Sequence, residues 1–125
     1  RFSPVYQSYL QVLKDGLLTI FRDDEKPPLL MARAHLQSFE DNVNILRDKM
    51  WEETTSAMAE WLSMAREVGV YDVTEQTEKY RIKQFCDNLL GDGAAVIQAY
   101  IPVIEDWDKA WRIKFPDTAA KYYGA

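Results

Sequence analysis

The chain has 125 residues, 47% of them hydrophobic and 13% aromatic, which is enough for one domain with one core and excludes a disordered protein. Its formal net charge of −5 counts against nucleic-acid binding, which requires a basic surface, and no apolar run reaches the roughly 18 residues of a membrane-spanning helix. The single cysteine, Cys86, excludes an intrachain disulfide and a cysteine-ligated metal cluster. We therefore expect one soluble domain over residues 1–125.

The first half of the chain predicts two helices. Ser3 and Pro4 are favourable residues at a helix start, and the apolar residues that follow at helical spacing predict a helix over about 4–22. Pro28 is well placed to begin the next helix. From there the apolar residues repeat in heptads, with neither proline nor glycine until Gly69, which predicts one long helix over about 28–68. The alternative is a break near residues 52–56, where threonine and serine lower the helix propensity.

The second half predicts two more helices and a short tail. A helix over about 74–90 is expected to end at the run Gly91–Gly93, which has the composition of a helix boundary. The next helix, over about 93–114, contains Pro102, so we expect a kink or a split there. The tail, residues 115–125, has room for one more short helical turn. Short connections favour antiparallel neighbours, so we expect an all-α, antiparallel up-and-down bundle of about four helices.

Residues able to carry catalysis are scarce in this sequence. His35 is the only histidine, and Cys86 lies on the apolar face of its helix, where a buried thiol is unreactive. No glutamate stands three residues before a histidine, which excludes the paired motifs of di-iron bundles. The acidic runs Asp23–Glu25 and Glu105–Asp108 lack the spacing of a calcium loop, and we interpret them as a solvated turn and the polar face of a helix. We expect no enzyme activity, no cofactor and no metal.

Two groups of basic residues are candidate surface patches. Arg112 and Lys114 form one group, and Lys79, Arg81 and Lys83 form the other. Because the net charge has the wrong sign for nucleic acid, we interpret both groups as solvated helix faces with acidic neighbours.

The segment Ala94–Ile104 is apolar at every position except Gln98. A helix on the surface of a bundle is amphipathic, so this segment is expected either to lie centrally in the bundle or to be covered by a partner. Aromatic residues are frequent around it and toward the tail, and they fit either an ordinary core or a protein-binding face. The candidate partner-binding residues are Trp107, Trp111, Tyr100, Tyr122 and Tyr123.

The tail Ile113–Gly124 resembles a short stretch of the PsbQ-like extrinsic proteins of photosystem II, which have a similar run of proline, an acidic residue, alanine, lysine, two tyrosines and glycine. The resemblance covers about a tenth of the chain. In that family the run lies inside a final helix. The resemblance implies a four-helix accessory subunit that docks on a larger complex without catalysis of its own.

These patterns favour a non-enzymatic interaction or assembly protein that binds a protein partner, or a second copy of itself, through an apolar and aromatic face. One alternative is a structural subunit of a repeating assembly such as a filament or virion coat. A second is the accessory subunit implied by the PsbQ-like tail. A third is a carrier that holds an apolar ligand between the long helix and the Pro-kinked helix.

Overall fold

The computed structural model describes residues 3–20, 25–68 and 71–124, and these residues form four helices. The helices are α1 (Ser3–Thr19), α2 (Pro28–Val68), α3 (Tyr71–Lys114) and α4 (Pro116–Tyr123). Side-chain environments are described except at 3, 57, 59–62, 65, 66, 68 and 71–75. The helices pack against one another, α2 and α3 most extensively, so the predicted all-α bundle is confirmed.

The first of two compact units, unit 1, consists of Arg1–Glu40 and Gly91–Ala125. It contains α1, the first part of α2, the last part of α3, and α4. Its described core consists of hydrophobic side chains from α1, α2 and α3 and the residue after α1: Leu10, Leu13, Leu17, Ile20, Ala32, Phe39, Ile97, Ile104 and Trp111. Leu29 contacts Asp108 while Phe39 lies against Gly93, so α2 and α3 run antiparallel here, as short connections predict.

The second compact unit, unit 2, consists of Asp41–Leu90 and is made of the remaining parts of α2 and α3. The described side chains buried in it are Val43, Ile82, Cys86 and Leu89. Both units contain parts of α2 and α3. The expectation of a single domain stays a prediction.

The predicted long helix over 28–68 is confirmed as α2, and the alternative break near 52–56 is not seen. Thr55, inside that segment, donates its hydroxyl to the Trp51 carbonyl oxygen at 2.6 Å, so its side chain is satisfied without interrupting the helix. Pro28 is the first residue of α2, where its missing N–H costs nothing. The predicted cap at Gly69, and the end of the first helix at residue 22, lie outside the described residues.

The predicted boundary at Gly91–Gly93 is wrong, because α3 runs without interruption from Tyr71 to Lys114. The helices expected at 74–90 and 93–114 are therefore one helix. Pro102 also lies inside α3, so the predicted split there is wrong, while the predicted kink stays a prediction. The extra turn expected in the tail is present as α4, which follows Phe115 and begins at Pro116.

Candidate functional site

A buried carboxylate joins three elements of unit 1. The side chain of Asp108 is 2% exposed on α3. Its Oδ1 accepts hydrogen bonds from the Leu29 backbone N–H at 3.2 Å and from the Tyr123 hydroxyl at 2.8 Å, and its Oδ2 accepts one from Arg112 Nε at 2.8 Å. The interpretation of Glu105–Asp108 as the polar face of a helix is therefore wrong for Asp108, which is drawn into the core by these three donors.

This arrangement suits structural support better than proton transfer. The Arg112 guanidinium carbon lies 3.7 Å from the centre of the Tyr123 ring, and its hydrogen bond to Asp108 raises the pKa of Arg112. Burial, and then the hydrogen bond to Asp108, raise the pKa of Tyr123. With both carboxylate oxygens engaged, Asp108 holds α2, α3 and α4 together.

The predicted partner-binding residues do not form one open face. Trp111 is only 5% exposed, and its ring lies 5.9 Å from the Phe115 ring and 6.5 Å from the Tyr122 ring. Trp111 is thus buried against Phe115 and against Tyr122 of α4, and its side chain is not part of an exposed surface. Tyr123 is half-buried on Asp108.

The other three predicted residues keep different amounts of surface. Trp107 and Tyr100 on α3 are half-buried. Tyr122 on α4 is exposed, at 45% of its surface. Partner binding by these three residues stays a prediction.

His35 and Cys86 both have structural surroundings. The ring Nε2 of His35 lies 3.1 Å from the Leu13 carbonyl oxygen, and the ring packs directly on Gly16 of α1. Cys86 is fully buried, as its spacing predicts, and burial raises the pKa of its thiol. The described residues hold no group of three metal-ligating side chains, and their helices include none apolar and long enough to cross a bilayer.

An open groove in unit 1, which we call the α2–α3 groove, has a volume of about 290 Å³. Ala32 and Ile97 form its buried floor, and the half-buried side chains of Leu29, Leu36 and Ile101 form its walls. The polar residues that line it are Arg33, Gln98 and Glu105. Gln98 and Ile101 belong to the apolar segment that the sequence predicts to be central or covered.

The α3 side of the α2–α3 groove faces away from α1. His35 of α2 and Asp92 of α3 both contact α1. Each residue advances an α-helix by roughly 100°, so Ile101 of α3 lies opposite Asp92. On α2, Arg33 lies almost opposite His35, whereas Ala32 and Leu36 lie roughly 60° and 100° from it. The groove thus faces away from α1 on its α3 side, and on its α2 side it lies next to the face that α1 contacts.

A second depression, which we call the Trp51 cleft, lies in unit 2 and has a volume of about 400 Å³. It is lined by Arg47, Asp48, Trp51, Lys79, Ile82 and Lys83. The Lys79 ammonium lies 5.0 Å from the centre of the Trp51 ring, within cation–π range. Sequence reasoning grouped Lys79 with Lys83 but missed Trp51, since only the pairing of α2 with α3 brings it beside them.

No family model, no curated protein and no solved structure matches this chain. The resemblance of the tail to PsbQ-like proteins consequently stays a prediction.

Proposed function

We propose that this chain is a non-enzymatic protein-interaction module whose α2–α3 groove receives an amphipathic helix of a protein partner. The observation that carries the proposal is the position of the groove. Leucine, isoleucine and alanine side chains form its floor and walls, it lies between two antiparallel helices, and its α3 side faces away from α1. A helix seated there would pack against both α2 and α3, as neighbouring helices of bundles do.

The dimensions of the groove favour a row of side chains as its occupant. Its volume of about 290 Å³ is at the small end for pockets that enclose a whole ligand. Its walls of leucine and isoleucine match the anchors that an amphipathic helix presents at three- and four-residue spacing. This argues for a helix over the apolar-ligand carrier that the sequence left open.

Charge at the edges of the groove would orient the partner helix. Arg33 stands on the α2 side and Glu105 on the α3 side, and both side chains are exposed. Neither forms an ion pair with another described residue. A partner helix with an acidic residue facing Arg33 and a basic residue facing Glu105 would be favoured over its reverse, because charge complementarity sets register and orientation.

The experiment places a photo-reactive benzoylphenylalanine at Gln98 in the groove, crosslinks the full chain in its native cell extract, and maps the attached peptide by mass spectrometry. The mapped segment is then synthesised and its Kd is measured. We expect an amphipathic helical segment whose affinity falls by about tenfold or more in Leu36→Asp. The matched control is Val12→Asp, which charges an exposed apolar residue on α1 and should leave the affinity within about twofold.

Arg33→Glu is the second variant, because it changes an exposed residue and leaves the core untouched. It should weaken binding and change its salt dependence. The proposal is wrong if the mapped segment is not helical when bound, if it is a second copy of this chain, or if Leu36→Asp and Val12→Asp weaken binding equally.

A further inference from the structure

We propose that the Trp51 cleft of unit 2 is a second binding site, which takes an acidic peptide segment of a protein partner with an apolar or aromatic side chain beside its carboxylates. The juxtaposition that carries this inference is three cationic side chains around a half-buried tryptophan and a buried isoleucine. This site is separate in sequence and chemistry from the α2–α3 groove, and it stands whether or not the groove binds a helix.

The cations of the cleft come from both helices of unit 2. Arg47 lies on α2, and Lys79 and Lys83 lie on α3. Arg47 is half-buried and forms no ion pair with a carboxylate among the described residues. A half-buried charge is costly without a counter-charge, so a carboxylate from a partner would improve its surroundings.

Lys79 and Lys83 differ in how they are held. Lys79 is positioned over the Trp51 ring, with its ammonium 5.0 Å from the ring centre. Lys83 pairs with Asp87 at 2.5 Å, and both side chains are largely in water, so this pair is weak and can be shared with a second carboxylate. Among the described residues that line the cleft, Asp48 is the one acidic side chain. The described lining therefore carries three positive charges and one negative charge in a chain whose net charge is −5.

The floor of the cleft supplies the apolar half of the recognition. Ile82 is 4% exposed and lies beneath the cleft, while Trp51 is half-buried at its wall. Tryptophan and arginine are the side chains most enriched among residues that dominate binding energy at protein interfaces. A partner side chain placed between Trp51 and Ile82 would bury apolar surface while its neighbouring carboxylates face the cations.

The surroundings of the cleft favour an acidic peptide over a polyanion. Exposed Glu52 and Glu53 follow Trp51 on α2, and Arg81 on the neighbouring turn of α3 is paired with Glu78 at 3.2 Å. A nucleic acid or an anionic bilayer covers a wide surface and would meet these carboxylates. A short peptide places its charges only where the cations are. The cleft is also open between two helices, whereas small-molecule sites enclose most of the ligand.

The test uses the full chain, labelled with ¹⁵N, and two fluorescein-labelled octapeptides. In one, Asp and Glu alternate with Phe and Leu; in the other, Asn and Gln replace the acids. We expect only the acidic peptide to bind, with a shift of the Trp51 indole N–H resonance, assigned through Trp51→Phe. Arg47→Gln should weaken binding by about tenfold or more, and added salt should weaken it further.

Arg81→Gln is the matched control, since it removes one positive charge from the same unit but not from the lining of the cleft. It should leave the affinity within about twofold. Lys79→Gln is a second test variant, and circular dichroism checks that each variant remains helical. The inference is overturned if the neutral peptide binds equally well or if the Trp51 resonance does not move. It is also overturned if a single-stranded oligonucleotide or a phosphatidylserine vesicle binds the same residues more tightly. The same holds if the chain self-associates and Arg47→Gln abolishes this self-association, because a second copy of the chain would then occupy the cleft.

Discussion

Asp108 caps a helix to which it does not belong. The first N–H groups of any α-helix lack partners within that helix, and α2 begins with Pro28, which has no N–H to offer. The next N–H, that of Leu29, donates to Asp108 on α3. A carboxylate at this end of α2 is also favoured by the helix dipole. Through Tyr123 the same side chain anchors α4, so one residue joins three helices.

Replacing this carboxylate should therefore destabilise the fold. In Asp108→Ala the Leu29 N–H and the Tyr123 hydroxyl lose their acceptor, and we expect the free energy of unfolding to fall by about 2–4 kcal/mol. Urea denaturation followed by circular dichroism measures this change. Asp106→Ala is the control, because Asp106 is exposed, and its effect should stay within about 0.5 kcal/mol. Equal effects of the two substitutions would show that the Asp108 hydrogen bonds contribute nothing net.

The burial of Asp108 was only partly visible in the sequence. Asp108 stands four residues after Ile104 and three before Trp111, so helical spacing places it on the apolar face of α3. An acidic residue on the apolar face of a helix indicates a buried carboxylate. This indication is lost when Glu105–Asp108 is interpreted as a single solvated run. Its partners were beyond sequence reasoning, because Leu29 is 79 positions away along the chain and is brought near only by the antiparallel pairing of α2 with α3.

Among the helices, α3 departs most from the sequence prediction. Glycines close together in a helical pattern are typical of a helix boundary, yet Gly91 and Gly93 lie inside one helix. Neither has a positive φ; among the described residues only Gly124 does. At Gly93 the absent side chain has a packing role instead, since the ring of Phe39 from α2 occupies the space that a Cβ would take. Tertiary packing thus overrides the local preference of glycine for a turn.

The two glycines should respond oppositely to alanine. Gly93→Ala forces the buried Phe39 ring to move, and we expect the free energy of unfolding to fall by about 1–3 kcal/mol. Gly91→Ala meets nothing within 4 Å and should raise it by about 0.5–1 kcal/mol, because alanine is the better helix former. Thermal melts of the two variants against the parent chain measure both changes. If both variants are stabilised, Phe39 moves aside freely and Gly93 is not a packing requirement.

At the scale of the whole molecule, apolar periodicity was sufficient for the fold class and for α2, because the apolar residues keep a helical spacing over 28–68, where no glycine and no proline after Pro28 interrupts them. It was less informative about surfaces. The segment Ala94–Ile104 was predicted to be central or covered by a partner. Only Ile97 and Ile104 of it are buried, with Ile97 in the floor of the α2–α3 groove, while Val103 is 45% exposed, so a central position is wrong for most of the segment and cover by a partner stays a prediction. Trp111 was misplaced because an aromatic side chain suits a core and an interface equally. The Trp51 cleft could not be predicted from the sequence, since its residues lie on α2 and α3 and are far apart along the chain.

Two tyrosines of unit 1 should make its stability depend on pH. Tyr6 attaches α1 to α3 through Asp92, and Tyr123 attaches α4 to α3 through Asp108. Burial, and then the hydrogen bond to Asp92, raise the pKa of Tyr6 from its ordinary 10.0 to about 12, and burial and Asp108 raise that of Tyr123. A raised pKa means that the folded state holds the phenol proton more tightly than the unfolded state does.

The stability that these tyrosines contribute should therefore be complete below pH 10 and disappear as the pH rises through 12, the folded-state pKa of Tyr6. Lysines also lose their protons in this range, so the informative quantity is the difference between the parent chain and the double variant Tyr6→Phe, Tyr123→Phe. We expect the Tm of the double variant to fall less steeply with pH. Tyr122→Phe is the matched control, because the Tyr122 hydroxyl bonds no carboxylate among the described residues, and it should follow the parent chain. A double variant whose Tm declines in parallel with the parent chain would show that deprotonating the two phenols leaves the attachment of α1 and α4 to α3 unchanged.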